Sequence, residues 1–286
     1  MAEMKLAKAY KAIKDCIVAF AYVPFGEKEK PFEGFPKIFG TGFIIREDGI
    51  ILTNDHVIQA MKALPRPAGT PDDHYPVKIL VFRTTPEGQL VIPFTLTGFF
   101  TLLEEGSEFD NLPEKPDIAI AQINIKGLPA VKVDDSTYIE EGLEVATAGF
   151  PMGTDALTAP GWLTHVTPTL QRGIISSVLP FACQRPHGFT INVMVQGGAS
   201  GSPVFLSDEP GVIGILYAAL EEHKPTSKND MVRNPTNISY VVPSRVIVAA
   251  LKSLSNIDAA KPPEGTKTLD EDILERKRHF KPIRKT

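Results

Sequence analysis

Short apolar stretches divided by turn residues fill most of this chain, and long runs with helical spacing are few. Brief apolar runs and alternating positions bounded by Gly, Pro, Asn or Asp predict β-strands. They fall at 16–23, 38–46, 50–53, 77–83, 90–99, 117–125, 143–149, 170–178, 190–195, 203–206, 212–218 and 238–242. Twelve such strands point to an all-β protein of two packed antiparallel barrels. Helical spacing is confined to three places. These are an amphipathic N-terminal segment with lysines at 5, 8, 11 and 14, the stretch 57–63, and 245–254 behind Pro243-Ser244.

Composition narrows the class. The 286 residues suffice for one large domain or two compact lobes, and 43% hydrophobic content fits a soluble globular chain. A net charge of −4 offers no electrostatic case for nucleic acid. The apolar stretch 16–25 is too short for a membrane span and carries no small-residue cleavage site. Cys16 and Cys183 allow at most one internal disulfide, which points to a reducing compartment, so a cytoplasmic location is expected. Two regions read as inserts, the proline-rich 65–76 and the long 151–169, which holds Trp162 and His165. Beyond 254, residues 255–286 are charge-dense, end in a basic run and read as a solvated tail.

Chemistry concentrates in three segments. Gly198-Ala199-Ser200-Gly201-Ser202-Pro203 holds a serine at a tight turn among small neighbours. A serine hydroxyl is a weak nucleophile at neutral pH and needs an adjacent base, plus donors for the oxyanion it creates. Thr53-Asn54-Asp55-His56-Val57-Ile58 places a histidine behind an apolar strand. Pro116-Asp117-Ile118-Ala119-Ile120 places an acid at the head of another. The order histidine, aspartate, serine is that of chymotrypsin-like proteases, not of subtilisins or α/β-hydrolases.

With these segments the chain resembles trypsin-like serine peptidases of the high-temperature-requirement branch over roughly 38–250. Gly40-Thr41-Gly42-Phe43-Ile44-Ile45 leading to His56, Ala148-Gly149-Phe150-Pro151-Met152-Gly153, Gly173-Ile174-Ile175-Ser176-Ser177-Val178, Gly211-Val212-Ile213-Gly214-Ile215 and Tyr240-Val241-Val242-Pro243-Ser244 carry the likeness. Ala199 departs from the Asn or Asp common in that branch, and Ser202 from its Gly. The peptide-binding (PDZ) domain that typical members append is not expected in the remaining length.

The resemblance implies a chymotrypsin-like fold of two six-stranded antiparallel β-barrels with short N- and C-terminal helices. A protease domain is expected over 1–254, with the first barrel at about 15–128, the second at about 129–245 and a closing helix at about 243–254. It further implies a serine endopeptidase with Ser200 as nucleophile, His56 as base and Asp117 as its orienter. The backbone N–H groups of Gly198 and Ser200 would form the oxyanion hole. Met194 aligns with the base of the primary pocket, and Ala218, Ala219 and Ile238 with its walls, which implies an apolar pocket. The expected partner is a polypeptide substrate, unfolded or flexible, and self-association is left open. No cofactor is expected, and no metal, since the histidines lack ligand spacing. Two competing functions remain, a catalytically silent peptide-binding or scaffolding module and an esterase or amidase acting on small molecules.

Overall fold

The computed structural model of the protein describes residues 2–23, 36–66, 75–85, 88–101, 116–135, 138–153, 167–183, 186–225, 231–253 and 261–279. The region at 67–74 and the part of the long insert holding Trp162 and His165 lie outside the described residues. Twelve strands and four α-helices occur among those described.

Two closed, six-stranded, antiparallel barrels make up the fold. The first contains β1 (Ile17–Tyr22), β2 (Lys37–Arg46), β3 (Ile50–Thr53), β4 (Val77–Thr85), β5 (Gly88–Thr101) and β6 (Ala119–Ile123). Around it the order is β1-β2-β3-β6-β5-β4. The second contains β7 (Glu144–Gly149), β8 (Thr169–Leu179), β9 (Gly188–Ile191), β10 (Pro203–Leu206), β11 (Val212–Pro225) and β12 (Met231–Pro243), in the order β10-β11-β12-β9-β8-β7.

The period of two along a strand explains the filling. In β1, Val18 and Phe20 point into the first barrel with Ile44, Ile51, Ile79 and Val81. Ile17, Ala19 and Ala21 point the other way, onto Phe82, Ala148 and Phe150. Both faces of β1 are therefore buried, so it reads as a continuous apolar run rather than an alternation. A further cluster joins the barrels: Phe43 and Leu52 of the first meet Ala146, Phe205 and Ile215 of the second. Two helices cover this seam. Ala9 and Ile13, one turn apart on α1 (Ala2–Ile13), and Val246, Ile247 and Ala250 on α3 (Ser244–Ser253) enter the same cluster.

Several elements differ from the expected ones. The strand at 190–195 is instead β9 at Gly188–Ile191: its pairing with β12 ends at Ser239↔Ile191, and the Asn192 side chain then takes the Ile174 N–H at 2.6 Å. β11 and β12 continue as a hairpin ladder as far as Pro225↔Met231, through charged residues that carry no strand signal. The helix near the histidine, α2 (Asp55–Lys62), begins before His56 and holds it in its first turn.

The charged tail expected over 255–286 requires correction. Within it lies α4 (Leu269–His279), docked on the first barrel. Thr268 and Glu271 form a reciprocal capping box: the Thr268 N–H donates to Glu271 Oε2 at 2.8 Å, and the Glu271 N–H to Thr268 Oγ1 at 3.3 Å. Leu269, buried, and Ile273, partly buried, then close the barrel interior, and the strand-like pairing Lys126↔Thr268 pins the approach. One fully buried leucine contributes about 1.5–3 kcal/mol to docking a segment whose average composition is polar, beside the cap and the Lys126↔Thr268 pairing.

Candidate active site

The ladder between β3 and β6 brings the acid to the histidine. Thr53 pairs with Ala119 at one end of that ladder. His56 lies three residues beyond Thr53 and Asp117 two residues before Ala119, so both emerge at the same end of the barrel. Asp117 precedes its strand rather than heading it, which frees its side chain to turn toward α2.

The Asp117 carboxylate grips His56 twice. Oδ2 lies 2.5 Å from His56 Nδ1, and Oδ1 accepts the His56 backbone N–H at 3.0 Å. The second contact caps α2. Asn54 occupies the N-cap but makes no side-chain cap bond; its amide instead donates to the Asp117 carbonyl at 2.7 Å. An oxygen on Nδ1 selects the tautomer that carries its proton there and leaves Nε2 as an acceptor.

The Ser200 turn comes from the second barrel. Gly198 and Gly201 both have positive φ, +94° and +89°. A Cβ on Gly198 would lie 2.5 Å from the Phe150 carbonyl, and one on Gly201 would lie 1.9 Å from the Thr41 carbonyl. Neither position accepts a side chain, and this explains the glycine spacing of the hexapeptide. Gly198 is buried and Ser200 half-buried. Among the described residues, neither the Gly198 N–H nor the Ser200 N–H is spent on a hydrogen bond, and none joins the Ser200 hydroxyl to the His56 ring.

The turn is tied across the seam to β2. The Thr41 N–H donates to the Ser200 carbonyl at 2.9 Å, and the Thr41 carbonyl accepts the Thr53 hydroxyl at 2.8 Å. The serine segment is thereby linked, through Thr41, to a residue three positions before His56. Thr41 was not singled out from the sequence. Its one signal is a hydroxyl between Gly40 and Gly42 in an otherwise apolar strand.

The four expected pocket residues fall around one ladder. Ala218 and Ala219 on β11 pair with Tyr240 and Ser239 on β12, with Ile238 next along. The Ser239 hydroxyl donates to the Val193 carbonyl at 2.6 Å, drawing the segment that carries Met194 toward that ladder. The Met194 carbonyl accepts from Gln171 Nε2 at 3.2 Å, while its side chain is 48% exposed and so is not core packing.

A family model described as the trypsin-like peptidase domain matches residues 40–215. The chain belongs to that family. By family it is a trypsin-like serine peptidase, and its relatives carry the same stamp. A probable periplasmic serine endoprotease DegP-like of Marinomonas sp. (strain MWYL1) is 24% identical over 241 residues, covering 83% of this chain and 40% of the relative. One of the same name from Halomonas elongata is 28% identical over 176 residues, covering 62% and 28%. The chain thus spans well under half the length of either relative. Among solved structures, Deg5 superposes with a TM-score of 0.51 at 18% identity, covering 86% of this peptidase and 91% of that chain, a likeness of fold.

These names overturn the cytoplasmic location expected from cysteine usage, since the relatives are named periplasmic. Few cysteines exclude a disulfide framework but not an oxidising compartment. Cys16 and Cys183 are both unbridged, and burial pushes the Cys16 thiol up to about 12, leaving almost no thiolate to oxidise. Among the described residues no helix is long and apolar enough to cross a membrane.

Proposed function

We propose that this trypsin-like peptidase is a serine endopeptidase working through Ser200, His56 and Asp117. The observation that carries the reading is the double contact of Asp117 with His56. Ser200 Oγ attacks the scissile carbonyl and forms the acyl-enzyme. His56 Nε2 takes the hydroxyl proton and delivers it to the leaving amine, while Asp117 holds the ring and stabilises the imidazolium. The unspent N–H groups of Gly198 and Ser200 receive the oxyanion, and losing one such donor raises a barrier by about 2.7–4 kcal/mol. Ala218, Ala219, Ile238 and the half-exposed Met194 support an apolar primary pocket for small or medium aliphatic residues in unfolded or flexible polypeptide. The relatives' names support an extracytoplasmic setting. The protease domain is taken as 1–254, its two barrels meeting at the site.

A second reading, a silent peptide-binding module, draws support from the Ser200 hydroxyl, which makes no bond to the His56 ring. In resting proteases that bond is often long and tightens only with substrate. A fluorophosphonate probe separates the two. Labelling of the folded protein that vanishes in Ser200→Ala supports the endopeptidase; no labelling at neutral pH supports the silent module. Casein digestion then tests the pocket: cuts after Ala, Val or Ile are expected, and a dominant preference for Lys or Arg would overturn it.

A further inference from the structure

We propose that Thr41, in the first barrel, is a positioning residue that clamps the two peptide groups flanking the Ser200 N–H in the second; the inference rests on Ser200 being the nucleophile. A trans peptide is planar, so holding one residue's carbonyl fixes the N–H of the next. Three consecutive carbonyls around the nucleophile are held. The Thr41 hydroxyl donates to the Gly198 carbonyl at 2.7 Å. The Ala199 carbonyl accepts both the Ser202 hydroxyl at 2.6 Å and the Ser202 N–H at 3.0 Å. The Ser200 carbonyl accepts the Thr41 N–H at 2.9 Å. On the N–H side, Ala199 donates to the Gln196 carbonyl at 3.2 Å and Gly201 to the Leu216 carbonyl at 2.9 Å. Every peptide group from the Gly198 carbonyl to the Gly201 N–H is therefore committed, save the Ser200 N–H.

Within that set the plane between Gly198 and Ala199 is the one most free to turn, because it adjoins Gly197-Gly198, where the backbone has little steric restraint. Its carbonyl is held by the Thr41 hydroxyl, which cannot swing away. That hydroxyl also accepts the Phe150 N–H at 3.1 Å, and Thr41 is wholly buried. Rotation of this plane would carry the Ala199 N–H off the Gln196 carbonyl and turn the chain that delivers the Ser200 N–H. Thr41 also reaches toward the base, since its carbonyl binds the Thr53 hydroxyl. One residue in β2 thus holds the Ser200 turn of the second barrel in register with the histidine segment of the first.

The test compares Thr41→Val, which keeps the shape and deletes the hydroxyl, with Thr41→Ser, which keeps the hydroxyl. The substrate is the best-cut casein peptide made as a p-nitroanilide, and its boronic acid serves as a tetrahedral analogue. In Thr41→Val, kcat should fall about 10–100-fold with KM within about threefold, less than the 10²–10³ that follows outright loss of a donor. Boronate affinity should fall in proportion to kcat/KM, and Thr41→Ser should recover kcat to within about threefold of wild type. A folded Thr41→Val with unchanged kcat overturns the proposal, as does a Thr41→Ser variant equally impaired. If Thr41→Val does not fold, Thr41→Cys, which keeps the size and weakens the donor, decides by the same split between kcat and KM. A wild-type chain that neither takes the fluorophosphonate nor hydrolyses peptide overturns the endopeptidase reading and this proposal together. An active wild type with indifferent variants overturns this one alone.

Discussion

Asp117 caps the helix that carries His56 and holds its imidazole with the same carboxylate, at 3.0 Å and 2.5 Å. Orientation of the ring and of the backbone beneath it are thus one interaction. Asp117→Asn keeps an oxygen for the cap but presents an N–H or the wrong lone pair to Nδ1. The expected outcome is a fall in kcat of about 10⁴, the order associated with the wrong tautomer in such sites. The fold should survive, with a stability change within about 1 kcal/mol. Steady-state kinetics beside thermal melts check this, and an active Asn variant would remove Asp117 from the mechanism.

Alkaline stability should report the inter-barrel seam. Burial pushes the thiol of Cys16 and the phenol of Tyr10 up to about 12 each. A raised folded value means the protonated form is favoured on folding, so the contribution is complete below the unfolded value and lost as pH rises toward the folded one. For the thiol that window opens near pH 8.5, for the phenol near pH 10. Stability should fall by about 1.4 kcal/mol per pH unit through the thiol alone, roughly 2 kcal/mol by pH 10. Urea midpoints at pH 8 and 10 for wild type and Cys16→Ala measure it. The variant should have the shallower slope, and equal slopes would refute the assignment.

Much of this architecture is legible in the residues themselves, and the exceptions have physical causes. The strands around Val18, Ile51 and Val81 declare themselves because they fill a barrel. The Glu221–Pro225 extension of β11 does not, because ladder pairing to β12 joins backbone groups and leaves no mark in the apolar pattern. His56, Asp117 and Ser200 stand out because their chemistry requires particular neighbours. Thr41 does not, since its role depends on a carbonyl 157 residues away. The α4 helix is hidden by its charge; only Leu269 and Ile273 betray the side that docks.

That docking is itself testable. Leu269 is 1% exposed, and Leu269→Ala should cost about 2–5 kcal/mol in urea unfolding while leaving kcat within about twofold. The cap should also respond to acid. The Glu271 carboxyl is held below its ordinary range, first by the Thr268 backbone N–H and then by the Thr268 hydroxyl. A lowered folded value means the contribution is present above the unfolded carboxyl value, about 4.3, and is lost as pH falls through the folded one. Helix signal should therefore decline there, and Glu271→Gln should lose part of that pH dependence. No difference between the two would sink the capping assignment.

Gly201→Ala should be among the most damaging single-methyl changes available. Its φ of +89° costs an L residue about 1–2 kcal/mol, and the added carbon would lie 1.9 Å from a backbone oxygen of the other barrel. The expected result is a lower melting temperature together with loss of fluorophosphonate reactivity. A stable, fully reactive variant would show that the two barrels do not approach there as closely as described.

Lys126, where α4 attaches, follows β6, whereas Asp117 precedes it. The docked helix therefore plugs the barrel from the pole remote from the cleft. Leu274, outward on that helix and 57% exposed, offers a place for a fluorescent reporter that senses loosening of the barrel without obstructing whatever threads past Ser200.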